Sequence, residues 1–152
     1  MKIYIVRHGS AVKGDVNDQS RSLTEKGLKQ TDMAGKWLSS QSMKNAECWH
    51  SPYLRTRQTA ENIVAACDIP LREENGLIPG GNIIELINQL QSLNHDVILV
   101  SHLPLVGHLA SYLIDGAIME QPWSPAECWL LEGEAAGSCM TATDVWYPNL
   151  SI

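Results

Sequence analysis

The sequence lacks any apolar run that approaches the roughly 20 residues needed by a transmembrane helix. Its first residues, MKIYIVRHG, contain an apolar stretch too short for the core of a signal peptide, and Arg7 follows that stretch directly. These two absences predict a cytoplasmic protein that does not associate with membranes.

The cysteines lack a metal-binding or disulfide pattern. None of the four (Cys48, Cys67, Cys128 and Cys139) belongs to a C-x-x-C pair. A zinc site or a disulfide framework is therefore not expected. We expect reduced, mostly buried thiols, as is usual for proteins of the cytosol.

Positive charge is absent from the second part of the chain. No Lys or Arg follows Arg72, whereas all 11 of these residues lie at or before it. The net charge of −6 argues against non-specific binding of nucleic acid. The asymmetry indicates that any anion site is built from the first part of the chain, although chance and a solvated acidic surface explain it equally well.

The length of 152 residues fits one domain with a hydrophobic core. Hydrophobic residues make up 44% and charged residues 18% of the chain, as in ordinary globular proteins. We therefore predict a single domain over residues 1–152 and favour a monomer.

The chain alternates between strand-like and helix-like segments. Strands are predicted at 2–6, 46–50, 71–74, 96–101, 127–131 and 140–146. Helices are predicted from 25 onward after an N-cap at Thr24 and from an N-cap at Ser51, with Pro52 at the first helical position, to about 67. Two more are predicted from an N-cap at Asn82 to 93 and over 103–114. In the first helix, Leu28, Met33, Trp37 and Leu38 are expected on the buried side.

This alternation predicts an α/β fold, a three-layer α/β/α sandwich. The central sheet should be mostly parallel, with the last two strands forming an antiparallel C-terminal hairpin at one edge.

Polar side chains follow three of the predicted strands. Arg7-His8-Gly9 comes after the first strand, Ser51 to Arg55 after the second, and Ser101-His102 after the strand DVILV. Because sites in such sheets form at the carboxyl ends of the strands, these clusters can converge. Two histidines with several arginines are suited to handling a phosphoryl group.

Each residue type has a chemical reason to be there. A neutral imidazole can attack phosphorus and hold the phosphoryl group covalently. Guanidinium groups match phosphate oxygens and stabilise charge on them during transfer. We expect Gly9 to let the backbone pass close to the ligand. Arg55 should project from the first turns of a helix whose N-terminus favours an anion.

Four motifs in this order resemble the histidine phosphatase superfamily, the phosphoglycerate-mutase-like enzymes. They are Arg7-His8-Gly9, Leu23-Thr24-x-x-Gly27, the segment SPYLRTRQTA at 51–60, and Ser101-His102. Within that group, Arg21-Ser22-Leu23-Thr24, the tract SHLPLVG at 101–107 and the short chain are most similar to the SixA-type phosphohistidine phosphatases. The region after Gly116 carries no matching motif.

The resemblance implies a role for each site residue. His8 would be the nucleophile, Arg7 and Arg55 would hold phosphoryl oxygens, and His102 would donate a further hydrogen bond to them. Arg21 would be an additional phosphate-binding arginine, and Asn17 and Ser101 are candidates for support. No metal or organic cofactor is implied, because arginines supply the positive charge.

Structural alternatives exist for these residues. Arg55 could pair with a surface acid such as Glu61, His102 could be an ordinary loop histidine, and Arg21 could be a solvated loop residue. For Arg57 the structural interpretation is preferred, as it is for His50, His95 and His108.

Two departures from the mutase-type branch narrow the expected class of substrate. The segment Asn75-Gly76-Leu77-Ile78-Pro79 lacks the proton-donating Glu of that branch, and the nearest acids are Glu73 and Glu74. This loss matters less for an imidazole leaving group, whose reference pKa is about 6.5, than for an alkoxide. The 47 positions between Arg55 and His102 also leave no room for a helical lid, which favours a protein substrate.

The sequence therefore predicts removal of a phosphoryl group from a phosphohistidine-bearing protein, either a histidine phosphotransfer domain or a phosphocarrier. The alternatives are a small-molecule phosphomonoesterase or mutase of the same fold, and a non-catalytic module that binds phospho-ligands.

Overall fold

The computed structural model describes residues 1–14 and 17–150. The strands in these ranges are β1 (Lys2–Arg7), β2 (Glu47–His50), β3 (Leu71–Glu73), β4 (Val97–Ser101), β5 (Cys128–Gly133) and β6 (Met140–Trp146). The α-helices are α1 (Glu25–Ser39), α2 (Leu54–Cys67), α3 (Ile83–Gln91) and α4 (Leu105–Asp115). Short 3₁₀ turns cover Asp18–Ser20 and Asn75–Leu77.

The strands form one mixed sheet in the order β3-β2-β4-β1-β5-β6. Four strands are parallel, with β2 beside β3 and β4, and β4 beside β1. β5 and β6 are antiparallel and close the other edge as a hairpin. The predicted parallel sheet with an antiparallel C-terminal hairpin is confirmed.

Helices cover both faces of the sheet. Tyr4 and Val6 of β1 pack in the core that holds residues of α1 and α2. Ile3 and Ile5, which alternate with them, pack in the core that holds residues of α3 and α4. The buried parallel strands thus face apolar side chains on both sides, as expected when helices connect parallel strands. The three-layer α/β/α prediction is confirmed.

Two of the predicted helix starts are confirmed by their caps. The Thr24 hydroxyl accepts the amide N–H of Gly27 at 3.0 Å, and the Asn82 side chain accepts that of Glu85 at 3.1 Å. Each bond satisfies an amide that has no partner within the helix.

The prediction that α2 begins with Ser51 as N-cap and Pro52 in the first turn is wrong. The helix begins at Leu54, and its N-cap Tyr53 makes no side-chain capping bond. The Ser51 hydroxyl lies instead 2.7 Å from a ring nitrogen of His102 and 2.6 Å from the Thr56 hydroxyl. Ser51 therefore serves the loop contacts described below rather than the helix.

The predicted buried face of α1 is partly wrong, because the side chain of Leu28 is exposed. Small and polar residues form most of the buried face instead: Gly27, Gln30, Thr31, Ala34, Gly35 and Leu38. α1 packs closely on α2 here, and a Cβ at Gly35 would lie 3.1 Å from the Asn62 carbonyl oxygen. Most residues on this face of α1 are thus buried because α1 and α2 lie close together, and not because their side chains are apolar.

The connection between the site-bearing strands contains no added helix. Between Arg55 and His102 the chain forms the remainder of α2, β3, a 3₁₀ turn, α3 and β4. The predicted absence of a helical lid is therefore confirmed for this stretch. Within 1–14 and 17–150, none of the helices combines the length and apolarity needed to cross a membrane. That residues 1–152 form one domain stays a prediction.

Candidate active site

Three polar segments meet where β2, β4 and β1 end side by side. Arg7 and Ser101 are partners in the parallel register, and the next amide, His8 N–H, donates to the Ser101 carbonyl at 3.0 Å. The Ser51 amide donates to the Val100 carbonyl at 3.3 Å on the other side of β4. The segments containing His8, Ser51 and His102 are therefore held together by backbone bonds at the carboxyl edge of the sheet.

His8 is held as a neutral imidazole with one acceptor nitrogen. Its Nδ1 lies 2.6 Å from the carbonyl oxygen of Gly9, and because a carbonyl only accepts, Nδ1 carries the hydrogen. Nε2 then has a lone pair. Burial lowers the pKa of His8 to about 4, against the opposing effect of the Gly9 bond, and the charges of Arg55, Arg7 and Arg21 lower it further. At neutral pH the ring is a nucleophile rather than a cation.

Arg55 is directed at this lone pair. Its Nε–H donates to His8 Nε2 at 3.3 Å, and its Nη1–H donates to the backbone oxygen of Asp18 at 2.8 Å. The guanidinium is buried and lies 4.9 Å from the centre of the Tyr53 ring. The structural alternative, in which Arg55 only pairs with Glu61, is wrong, because it is Arg57 that lies 3.7 Å from Glu61.

Two further arginines line the same pocket. Arg7 donates from Nη1 to the Trp123 carbonyl at 2.6 Å, while its buried Nε has no hydrogen-bond partner. Arg21 donates from Nη1 to the Val12 carbonyl and from Nε to the Asp18 carboxylate, both at 3.0 Å. Each guanidinium is anchored on one side and keeps further N–H groups available for an anion.

His102 lies beside the nucleophile candidate. Its ring centre is 5.3 Å from that of His8, in an edge-to-face arrangement, and 4.8 Å from that of Tyr53. Nε2 contacts the Ser51 hydroxyl at 2.7 Å, whereas the buried Nδ1 has no partner. Burial lowers the pKa of His102 to about 2, and the charges of Arg55, Arg21 and Arg7 act in the same direction. The ring is therefore neutral.

These five residues share one open pocket of about 410 Å³. Its lining is Arg7, His8, Ser10, Ala11, Lys13, Arg21, Arg55, His102, Leu103 and Pro125. The structure thus brings together every residue of the predicted set, and adds Lys13, which the motifs did not single out. Among the residues that the structure describes, four cationic side chains and no carboxylate line the pocket, so its preferred ligand is an anion.

Two glycines of the motifs position the loop that carries His8. A Cβ on Gly9 would lie 2.8 Å from the Gly27 carbonyl oxygen, and a Cβ on Gly27 would collide with the Ser10 carbonyl oxygen. The nearest atoms to a Cβ on Gly9 belong to α1, so packing explains this glycine, and its predicted closeness to a ligand stays a prediction. The two residues let the loop pack directly on the first turn of α1, which Thr24 caps.

The segment 51–60 supports the site through side chains that sequence reasoning missed. Thr59 Oγ1 accepts the Gly9 amide at 3.2 Å and donates to the Arg55 carbonyl at 2.8 Å. Gln58 accepts the Leu23 amide at 2.7 Å. Helix α2 thereby fixes the loop of His8 and the loop of Arg21. The helical spacing of these polar residues along α2 is the signal that could have indicated them.

Several candidates lie outside the pocket. The Ser101 hydroxyl donates to the Leu77 carbonyl at 2.6 Å, and Asn17 caps the 3₁₀ turn by accepting the Gln19 amide at 2.9 Å. Their proposed support of the site is therefore indirect. His50, His95 and His108 are likewise absent from the pocket lining.

The acids near the site do not act as pocket-lining proton donors. Glu74 accepts the Gly76 amide at 2.9 Å and also contacts Arg72 and Gln89. Asp18 pairs with Arg21 at 3.0 Å and approaches Arg55 at 3.5 Å. Slight burial raises the pKa of Asp18, but the hydrogen bond and charge of these arginines outweigh it and lower the pKa overall. Asp18 is thus a carboxylate at the rim, another residue that the motifs did not reveal.

The site offers no obvious cation ligands. In the part of the chain that the structure describes, no cluster of three or more His, Cys, Asp or Glu side chains could hold a metal ion. The positive charge that a phosphoryl group requires is instead carried by guanidinium groups.

Comparison with known proteins agrees with this geometry. Residues 3–78 match the model of the histidine phosphatase superfamily (branch 1). The phosphohistidine phosphatase SixA of Escherichia coli K12 is 33% identical over 122 residues, which is 76% of each protein. A SixA homologue of Haemophilus influenzae is 34% identical over 126 residues, covering 74% of this chain and 77% of the homologue.

Solved structures show the same fold. The protein histidine phosphatase SixA complexed with tungstate superposes with a TM-score of 0.88, 27% identity and 97% coverage of both chains. A mycobacterial glucosyl-3-phosphoglycerate phosphatase superposes with a TM-score of 0.74 over 97% of this chain and 99% of the other, at 15% identity, which shows the fold alone. The family match, the two relatives and the site geometry agree, and the chain belongs to the histidine phosphatase superfamily, branch 1.

Proposed function

We propose that this protein is a phosphohistidine phosphatase that works through a covalent phospho-His8 intermediate. The observation that carries the proposal is the unprotonated Nε2 of His8, which accepts the Arg55 Nε–H at 3.3 Å in a pocket lined by three arginines and His102. The names of the relatives from Escherichia coli and Haemophilus influenzae support the same activity.

In the first step, His8 Nε2 attacks the phosphorus atom of the substrate. A bond forms between Nε2 and phosphorus, and the bond from phosphorus to the substrate imidazole nitrogen breaks with its electron pair going to that nitrogen. When the other substrate ring nitrogen carries a proton, the leaving group is a neutral imidazole. The equatorial oxygens carry the charge, and Arg7, Arg21 and Arg55 stabilise it.

In the second step, water attacks the phosphorus atom of phospho-His8. The electron pair of the breaking bond returns to Nε2, the water loses a proton to solvent, and inorganic phosphate leaves. The Gly9 carbonyl holds the proton on Nδ1 through both steps, so the same nitrogen accepts and releases the phosphoryl group.

The absence of an acid from the pocket lining favours phosphohistidine over a phosphomonoester. Glu74 is engaged by the Gly76 amide, and no Asp or Glu of residues 1–14 and 17–150 lines the pocket. An alkoxide leaving group needs a proton donor, whereas imidazole has a reference pKa of about 6.5 and leaves more easily.

The open pocket favours a substrate presented by another folded protein. No additional helix covers the site between Arg55 and His102. We propose that the substrate is a phosphohistidine on a histidine phosphotransfer domain or a phosphocarrier, that the encounter takes place in the cytoplasm, and that the enzyme acts as a monomer. A role in signal transduction follows from this partner class.

The test is to offer the protein a phosphohistidine-bearing carrier and a panel of phosphomonoesters at equal concentration. We expect rapid loss of phosphate from the carrier, poor turnover of the esters, and a base-stable, acid-labile phosphoenzyme. His8→Asn keeps the size of the side chain but should abolish the phosphoenzyme and lower turnover at least about 10⁴-fold.

Each other outcome assigns a different function. Faster turnover of a phosphomonoester would indicate a small-molecule phosphatase or mutase, and binding without release would indicate a module that only binds phospho-ligands. Full activity of His8→Asn would refute the nucleophile assigned here.

A further inference from the structure

The second histidine of the pocket has one nitrogen bound and one nitrogen free. His102 Nε2 lies 2.7 Å from the Ser51 hydroxyl, and Nδ1 is buried without a hydrogen-bond partner among residues 1–14 and 17–150. A neutral imidazole has one N–H donor and one acceptor nitrogen. Whether the Ser51 hydroxyl donates to Nε2 or accepts from it therefore decides whether Nδ1 donates or accepts a hydrogen bond.

Ser51 is itself in contact with a second hydroxyl. Thr56 Oγ1 lies 2.6 Å from Ser51 Oγ, 3.0 Å from the Ser51 carbonyl oxygen and 2.8 Å from the Tyr53 carbonyl oxygen. If Thr56 donates to a carbonyl, Ser51 donates to Thr56, and His102 must donate from Nε2. If Thr56 donates to the Ser51 hydroxyl, Ser51 donates to Nε2, and the hydrogen of His102 is on Nδ1.

Neither carbonyl depends on Thr56 for a partner. The Ser51 carbonyl also lies 2.7 Å from His50 Nδ1, and the Tyr53 carbonyl accepts the Arg57 amide at 3.1 Å. Turning the Thr56 hydroxyl toward Ser51 therefore leaves no buried carbonyl unsatisfied, so both directions of the hydroxyl chain are accessible at low cost.

A bound phosphoryl group favours one of the two directions of the hydroxyl chain. Its charged oxygens only accept hydrogen bonds, so they attract an N–H on Nδ1 and repel a lone pair there. An additional proton on the ring is not the source of that N–H, because burial lowers the pKa of His102 to about 2.

We propose that Ser51 is a positioning residue that, with Thr56, holds His102 in the tautomer with its hydrogen on Nδ1 when a phosphoryl group occupies the pocket. The chain of donors then runs from Thr56 to Ser51, from Ser51 to His102 Nε2, and from His102 Nδ1 to a phosphoryl oxygen. This inference rests on the proposed function, because it gives Nδ1 a phosphoryl oxygen as its partner.

The first test removes the hydroxyl of Ser51. Ser51→Ala should lower kcat/KM for the phosphohistidine carrier about 10- to 100-fold, the usual effect of losing a group that orients a histidine. Thr56→Val should lower it in the same direction, and Thr56→Ser, which keeps the hydroxyl, should restore it. Ser111→Ala is the matched control, because Ser111 is also buried but lies in α4 and bonds His108 and Met119.

The second test asks whether Ser51 acts through His102. His102→Asn places a side-chain N–H close to the position of Nδ1 and has no second ring nitrogen for Ser51 to orient. In that background, Ser51→Ala should change kcat/KM by less than about twofold. An equal loss from Ser51→Ala in both backgrounds would show that Ser51 acts elsewhere, and would overturn the proposal.

The third test reads the tautomer directly and needs no turnover. In protein with ¹⁵N-labelled histidine, tungstate as the phosphate analogue should shift the His102 signals to those of the form protonated on Nδ1. Ser51→Ala should give a mixture of tautomers under the same conditions. A His102 tautomer that is unchanged by Ser51→Ala would overturn the proposal, whereas inactivity of the wild-type protein on phosphohistidine would refute only the proposed function.

Discussion

The end of the sheet where the parallel strands begin (the amino edge) and the end where they finish (the carboxyl edge) differ in how their buried polar groups are hydrogen-bonded. At the amino edge, both oxygens of the Asp96 carboxylate are occupied, accepting the amides of Lys2 at 2.9 Å and of Lys44 at 2.8 Å. At the carboxyl edge, Arg7 Nε and His102 Nδ1 are buried without partners. Saturated groups stabilise the fold, whereas these two unsatisfied groups belong to residues that line the pocket of His8.

Cavity size does not distinguish the two edges. A cavity of about 470 Å³ lies at the amino edge, between the end of α1, the start of β2 and the turn before β3. It is larger than the pocket of about 410 Å³ that contains His8. The larger cavity has only Glu47 and Asp68 as charged lining residues, so its charges do not converge on one ligand. Converging charge, not volume, identifies the site.

The largest effect should come from removing an arginine of the carboxyl edge. Arg55→Ala should lower kcat about 100- to 1000-fold, as does loss of one donor to a charged transition state. Arg57→Ala is the matched control, because Arg57 lies two residues away, is exposed and pairs with Glu61. It should change kcat by less than about twofold. Single-turnover kinetics on a phosphohistidine carrier measure both, and equal losses would refute the distinction between the two arginines.

The sequence predicted the residues of the carboxyl edge well, because the polar residues that form the site lie at the ends of strands. Arg7-His8 and Ser101-His102 each come directly after a strand, so an alternating α/β pattern is sufficient to place them together. The contact between Ser51 and His102 was not predicted, because it comes from the order of strands, which places β2 beside β4. That order is set by packing across the whole sheet, which no local pattern of residues records.

The buried face of helix α1 also depends on contacts that the local sequence does not record. The expected buried face relied on apolar side chains, yet Leu28 is exposed while Gly27 and Gly35 are buried. The two glycines are buried because backbone approaches them closely, the Ser10 carbonyl at Gly27 and the Asn62 carbonyl at Gly35. Close backbone contact depends on the partner, and a hydrophobic pattern does not report it.

A charge removed from the amino edge should affect stability instead of catalysis. Asp96→Ala should lower the free energy of unfolding by about 2–4 kcal/mol, because two partly buried amides lose a buried, charged acceptor. kcat should stay unchanged at temperatures where the variant is folded. Asp144→Ala, on the exposed strand β6, should change stability by less than about 0.5 kcal/mol. Urea unfolding measures both variants, and a large loss of kcat in folded Asp96→Ala would contradict the division between the edges.

The buried His8 at the carboxyl edge should also make the free energy of unfolding depend on pH. The unfolded chain binds a proton at His8 near pH 6.5, whereas the folded pKa is about 4, so between these values the unfolded state binds more protons. Stability therefore falls as the pH drops through this window, by about 2 kcal/mol from His8 alone at pH 5. His8→Asn should show a shallower decrease between pH 7 and 5 in urea unfolding. Equal slopes in the two proteins would refute the lowered pKa.

The smallest effect should come from Asp18 at the rim of the pocket. Its carboxylate occupies N–H groups of Arg21 and Arg55 that a phosphoryl oxygen would use, and its charge repels a dianion. Asp18→Asn keeps a polar side chain of the same size and removes that charge. We expect it to tighten the binding of tungstate about 2- to 5-fold at low ionic strength, with a smaller gain at high salt because the Asp18 side chain is exposed. Calorimetric titration measures the change, and weaker binding would show that Asp18 instead holds the two arginines in their productive positions.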